Sequence, residues 1–265
     1  MSGDTSPPTS PVLEARGISK AYGAVQALRS VDLQLYAGEV LGLVGDNGAG
    51  KTTLVKCLSG VHRADDGEVR IDGVERHGLT AEAARALGVE TVYQNLSLVD
   101  TLDVMQNFFL HRELMFGNPV ARAMGLLNRR RMYRETTKRL QELELDVEAR
   151  RPVAALSGGQ RQMIAVARAI TWGTHIVMLD EPAAALGVRQ SVLVLKFVRS
   201  MAERGVAVLF ISHNMQHVLQ VTDRIVVLRH GEKVGDVRRA DATAQQIVTL
   251  ITGSDLVVEG QDVAV

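Results

Sequence analysis

Two neighbouring carboxylates, Asp180 and Glu181, end the apolar run IVML and are closed off by Pro182. Acids set against a buried run are electrostatically costly, so a cation or a reacting group is expected beside them. A partner of that kind stands in GDNGAGKT, Gly45 to Thr52, which matches the phosphate-loop pattern G-x-x-x-x-G-K-[ST]. It follows the apolar run VLGLV and opens the helical pattern KTTLVKCLSG, which is the context that such a loop needs. Glycines let backbone N–H groups converge on phosphate oxygens at the positive end of a helix. Lys51 places a compact charge on β- and γ-phosphates, and the Thr52 hydroxyl can ligate Mg²⁺.

Further polar residues follow apolar runs. Gln94 follows VETVY, and His213 comes shortly after VAVLFI. Singly, Gln94 reads as a surface glutamine, His213 as a strand-end histidine, and the acid pair as a solvated turn. Beside a phosphate loop the combination reads as ATP hydrolysis. Asp180 holds Mg²⁺, directly or through water, and Glu181 orients or deprotonates the attacking water. His213 fixes Glu181 and contacts the γ-phosphate, while Gln94 reaches Mg²⁺ or the water. LSGGQRQ, Leu156 to Gln162, makes a second anion site: Ser157 is a good N-cap, and the glycines leave a helix N-terminus open. Without the other motifs it would read as a capped helix start.

Positioning these groups together requires a particular frame. VLGLV, VETVY, IVML and VAVLFI are near-continuous apolar runs with helical stretches between them, the pattern of strands buried on both faces of a parallel sheet. All carboxyl ends of such strands share one edge, where open α/β folds bind ligands. Segments 12–37 and 66–73 read instead as antiparallel strands, and about 95 to 153 as helical without a buried strand. The expected fold is α/β: a P-loop NTPase (RecA-like) core with a mostly parallel sheet, an antiparallel β lobe and an α-helical insertion. The triple arginine 129–131 reads as a solvated helix start.

Composition narrows the classes. Thirty basic and thirty acidic side chains cancel in 265 residues, which argues against a nucleic-acid-binding surface or a polybasic membrane anchor. The single cysteine, Cys57, excludes an intrachain disulfide framework and reads as a small core residue in a reducing compartment. No apolar run approaches the length of a membrane span, and the Ser/Thr/Pro-rich start lacks the regions of a signal peptide. A soluble protein, docked to a membrane partner, is expected.

In their order along the chain, Tyr22, the phosphate loop, Gln94, LSGGQ, IVMLDEP and His213 resemble the ATP-binding cassette (ABC) ATPases, the nucleotide-binding subunits of transporters. The likeness covers roughly 12–253, leaving tails at 1–11 and 254–265, with the helical subdomain at about 95–160. It implies ATP and Mg²⁺ as ligands, with nucleotide contacts from Tyr22, which would stack on adenine, and from Gly45, Asp46, Asn47, Gly48, Ala49, Gly50, Lys51, Thr52, Thr53 and Gln94. Thr52, Gln94 and Asp180 would serve the metal. It also implies a head-to-tail homodimer or paired cassette, in which Ser157, Gly158, Gly159 and Gln160 of one subunit cap the γ-phosphate held by Lys51 of the other.

The same resemblance implies permease subunits docked at the cytoplasmic face of the cell membrane, through a groove on the helical subdomain near Phe108, Phe109 and Leu110, with core packing expected for at least two of the three. An extracellular or periplasmic binding protein would act indirectly. YQNLSLVDTLDVMQNFFLHREL, GLLNRRRM, AALGV and IVTLITG resemble the single-cassette ATPases of ribose-, xylose- and fructose-type monosaccharide importers. An ABC ATPase for another cargo (amino acid, lipid or drug) and a non-transport ABC ATPase are the alternatives. In one turn the chain departs from its relatives. Many cassettes have aspartate where Gly187 stands, and the sugar-importer relatives often have threonine where Ala183 stands, so looser coupling across the dimer is expected.

Overall fold

A computed structural model describes residues 10–117 and 123–253. Most of the expected N-terminal tail and all of the C-terminal one therefore lie outside the described residues. Two sheets form the body. The larger has the order β10–β9–β3–β8–β7–β6. Its strands β3 (Val40–Gly45), β6 (Val89–Val92), β7 (Ile176–Asp180), β8 (Ala207–Ile211) and β9 (Arg224–Arg229) run parallel, and β10 (Glu232–Arg238) closes one edge antiparallel to β9. The smaller sheet is antiparallel, in the order β2–β1–β4–β5, from β1 (Leu13–Tyr22), β2 (Val25–Leu35), β4 (Asp66–Ile71) and β5 (Val74–Glu75).

The apolar runs become strands because both faces of the large sheet are covered. Side chains alternate along a strand, so Ile176 and Met178 enter the core shared with the antiparallel sheet and α1 (Lys51–Leu58), while Val177 and Leu179 enter the core beneath the helices. Those covering helices are α5 (Gly158–Trp172), α6 (Val188–Glu203), α7 (Met215–Val221) and α8 (Ala244–Thr252). The same alternation puts Asp180 in phase with Ile176 and Met178, on the α1 side. Burial on both faces thus explains the unbroken apolar runs and also aims the first carboxylate. The α/β expectation is met. Strands β9 and β10 are not among the apolar runs read as strands, and His230 and Gly231, both at positive φ, form the tight turn between them.

Between β6 and α5 lies a helical lobe with its own core. It contains α3 (Val104–Phe108) and α4 (Arg129–Glu142); α2 (Ala81–Ala86) precedes β6. Phe108 and Phe109 are fully buried there with Met132, Leu140 and Ile164. Asn107, 0% exposed, is satisfied internally: its amide oxygen accepts from Val99 N–H, and its NH₂ donates to the Val99 and Asp103 carbonyls. Arg129, Arg130 and Arg131 form the exposed first turn of α4, which Asn128 caps. Cys57 is buried on α1, and burial pushes its thiol up to about 11. No described helix is long and apolar enough to cross a membrane.

Candidate functional site

The phosphate loop joins the end of β3 to α1 as a tight backbone cradle. Gly50 has φ 100°, and a Cβ there would meet the Ala27 carbonyl oxygen at 2.6 Å, so only glycine fits. Lys51 turns back on the loop, donating to the carbonyls of Gly45 (2.7 Å) and Asp46 (2.9 Å). Burial lowers its pKa against the pull of Glu181, Asp180 and Asp46. A partly buried ammonium whose hydrogen bonds, among the described residues, go to neutral carbonyls is suited to an incoming anion.

Thr52, one residue further, donates its hydroxyl to Asp180 Oδ2 at 2.9 Å, across 128 positions of sequence. Asp180 is 2% exposed, and its pKa is raised by burial, which the Thr52 hydrogen bond offsets only in part. A hydroxyl and a desolvated carboxylate side by side form a hard oxygen donor set with unmet demand for positive charge, so the residues fit Mg²⁺.

Glu181 follows at φ 55°, a left-handed conformation unfavourable for a side-chain-bearing residue and more so before proline. Its backbone is held at both ends. The N–H donates to Ile211 O (3.0 Å), and the carbonyl accepts from Ala184 N–H (3.3 Å) and from the Gln162 side-chain amide (3.2 Å). Strain of about 1–3 kcal/mol persists where the surroundings over-determine it. The effect is to aim the carboxylate across to the end of β8, where Oε1 accepts from His213 N–H at 2.8 Å and lies 2.9 Å from His213 Nδ1. The carboxylate thus sits against both the backbone and the ring of His213, whose side chain is largely exposed.

Lys51, Thr52, Asp180, Glu181 and His213 thus share one sheet edge. Gln94 lies two residues beyond β6 and is exposed; among the described residues it bonds none of these groups. Tyr22, at the end of β1, is 44% exposed. Ser157 caps α5 in a reciprocal box: its hydroxyl accepts from Gln160 N–H (3.2 Å), and Gln160 Oε1 accepts from Ser157 N–H (3.0 Å). No atom lies within 4 Å of a Cβ built on Gly158, whereas one on Gly159 would meet Ala185 O at 3.4 Å. The signature turn therefore packs against its own AAALG turn on one side and is open on the other. Gly187 caps α6 with no side-chain contribution, and Ala183 is buried.

Gln162, which the sequence placed only at the end of LSGGQRQ, contacts the site through the backbone of Glu181. It is 4% exposed on α5 and ties the signature helix to the backbone of Glu181. The available signal was a second glutamine, two residues beyond LSGGQ, at a position that turns inward.

Comparison with known proteins agrees with this geometry. The ABC transporter family profile matches residues 28–184. The chain is 42% identical to a fructose import ATP-binding protein of Rhizobium meliloti, covering 92% of this chain and 95% of that one. It is 38% identical to a xylose/arabinose import ATP-binding protein of Sulfolobus acidocaldarius, over 92% and 94%. Against a ribose import ATP-binding protein of Rubrobacter xylanophilus it is 40% identical over 93% of its own length but spans only 48% of that relative. A dimeric ATP-binding cassette bound to ADP and Pi has the same fold, with a TM-score of 0.74 at 23% identity over 86% of this chain and 98% of that one. With phosphate loop, paired acids and signature turn in one frame, the chain belongs to the ABC transporter family as one of its ATP-hydrolysing cassettes.

Proposed function

We propose that this protein is the ATPase subunit of a monosaccharide importer. The observation that carries the chemistry is the pairing of Thr52 with Asp180 and of Glu181 with His213 beside the phosphate loop. The loop N–H groups and Lys51 bind and orient the polyphosphate. Thr52 and Asp180 would hold Mg²⁺, which would supply charge neutralisation on the phosphates. Glu181 takes a proton from water as the new P–O bond forms and ADP departs. His213 keeps Glu181 oriented through Nδ1 and offers Nε2 to the γ-phosphate. Gln94 comes to the water or the metal, and Tyr22 receives the adenine.

Ser157, Gly158, Gly159 and Gln160 serve the ATP held by a second cassette; the open space beside Gly158 and the locally satisfied Ser157–Gln160 box support this reading. A permease docks at the groove between α2, β6 and the helical lobe, a cavity of about 210 Å³ lined by Arg85, Glu90, Phe108, Leu110, Arg112 and Trp172. Inside it Arg112 pairs with Glu90 and lies over the Trp172 ring, 5.3 Å from the centroid. The subunit sits peripherally on the cytoplasmic face, and a binding protein selects the sugar. Relatives named for fructose, xylose/arabinose and ribose import support a monosaccharide over other cargo. The test is ATP turnover by the chain assembled with a copurifying permease in vesicles. A sugar-loaded binding protein is expected to stimulate it, and stimulation by an amino acid or lipid instead overturns the assignment of cargo.

A further inference from the structure

The base end of the nucleotide site shows a connection that none of the motifs contains. The Tyr22 ring meets the His62 ring edge-on, with centroids 5.8 Å apart and planes at 71°. Lys20 Nζ stands over the same tyrosine ring, 5.8 Å from its centroid, and Tyr22 remains partly exposed. One residue ties this end of β1 down. Asp65 accepts from Lys20 Nζ at Oδ1 (2.6 Å) and from Ala21 N–H at Oδ2 (2.7 Å), and its own N–H donates to the Ser19 carbonyl (2.9 Å). The three residues leading into Tyr22 are thus all bonded to Asp65. The Lys20 ammonium, and then the Ala21 N–H, hold the Asp65 carboxyl below the usual carboxylate range.

Asp65 and His62 belong to the segment that leaves α1, where Val61 and His62 both donate to Lys56 O at 2.9 Å. Lys51 and Thr52 open the same helix. One short rigid rod, about 12 Å long for eight residues, carries the phosphate-binding groups at its start and the anchor of the base platform just past its end. A half-exposed tyrosine free to swing would lose affinity to the cost of ordering it, and anchoring removes that cost in advance.

We propose that Asp65 is a positioning residue for nucleobase recognition: through Lys20 and Ala21 it holds Tyr22, with His62 at its edge, in fixed register with the phosphate loop. The ligand this selects is a polyphosphate joined to a flat aromatic base, rather than a polyphosphate alone. The inference rests on Tyr22 being the base platform.

The test measures Kd for MgATP and for inorganic tripolyphosphate by displacement of a fluorescent nucleotide from the full-length chain. Asp65→Ala is expected to weaken ATP about tenfold while changing tripolyphosphate by less than about twofold. KM for ATP rises, and kcat at saturation is retained. Tyr22→Ala gives the same pattern, and Tyr22→Ala/Asp65→Ala is no weaker than Tyr22→Ala alone. Asp65→Asn, which keeps an acceptor for Ala21 N–H, loses less than Asp65→Ala. If Tyr22→Ala weakens ATP and Asp65→Ala does not, the anchor is wrong and the platform stands. Unchanged ATP affinity in Tyr22→Ala overturns the platform, and the proposal with it. Equal loss of ATP and tripolyphosphate in Asp65→Ala makes Asp65 a structural residue only and overturns the proposal.

Discussion

The hydrolytic edge and the signature turn, the two proposed anion sites, each lie at a helix N-terminus, yet they are built differently. At the hydrolytic edge the polar groups hold one another across long sequence distances, Thr52 on Asp180 and Glu181 on His213, and the carboxylates lie 2% and 12% exposed. Within LSGGQ itself, the hydrogen bonds among the described residues are local. Ser157 and Gln160 satisfy each other, and Gly158 has nothing against it. The first region concentrates desolvated charge that awaits a cation and a phosphate. LSGGQ carries no charged side chain, and on the proposed reading it would offer backbone N–H groups to an anion held by a second cassette. On that reading, the chain carries one complete phosphate grip and one cap for a neighbouring cassette.

Substitutions on the two sides should therefore fail differently. The largest effect is expected for Glu181→Gln, which removes the proton acceptor while keeping the shape: turnover falls about 10²- to 10⁴-fold with ATP binding retained, read by phosphate release and nucleotide titration. Lys51→Ala attacks the grip itself and should weaken ATP about 10- to 100-fold in the isolated chain. Gly158→Glu places a like charge where the cap would meet phosphate. It should leave ATP affinity of the isolated chain unchanged and cut turnover at least about tenfold. Mixing Lys51→Ala with Gly158→Glu chains should restore activity, because one intact grip then faces one intact cap. No recovery on mixing would break the comparison.

The smallest effect concerns the turn after Pro182. Gly187 caps α6 bare, with open space around its Cβ position, so Gly187→Asp should stabilise the fold by a few tenths of a kcal/mol. A melting shift of about 1 °C would register it, and a rise in the cooperativity of turnover with ATP would support the looser coupling expected of this turn. Unchanged cooperativity in both Gly187→Asp and Ala183→Thr would count against that coupling.

Much of the hydrolytic edge was legible because its residues sit directly after apolar runs or within contiguous motifs. Gly45 to Thr52, Asp180, Glu181 and His213 could be picked out along the chain, and the parallel sheet implied that they meet. Strands β9 and β10 were less legible: a run of four apolar residues between arginines, Ile225 to Leu228, is short, and only its place beside β3 makes it central. The roles of Asp65 and Gln162 were hidden for another reason. Each is a polar residue whose partner is fixed by the packing of a different element, Asp65 by β1 against the segment after α1 and Gln162 by α5 against the turn after β7.

The amino-acid order by itself determined the reaction class, since glycines, lysine and threonine in register before a helix, with paired acids after an apolar run, answer the local chemistry of phosphate. It determined which strands are buried on both faces, through unbroken apolar runs. The tertiary structure alone decided how those groups act together. Period-two alternation in β7 sends Asp180 to Thr52, a left-handed backbone at Glu181 sends the next carboxylate to His213, and Asp65 ties the end of β1 to the segment that leaves α1. The physical reason is distance: motifs report contacts between neighbours in sequence, whereas these pairs are joined only when the sheet brings its carboxyl ends to one edge.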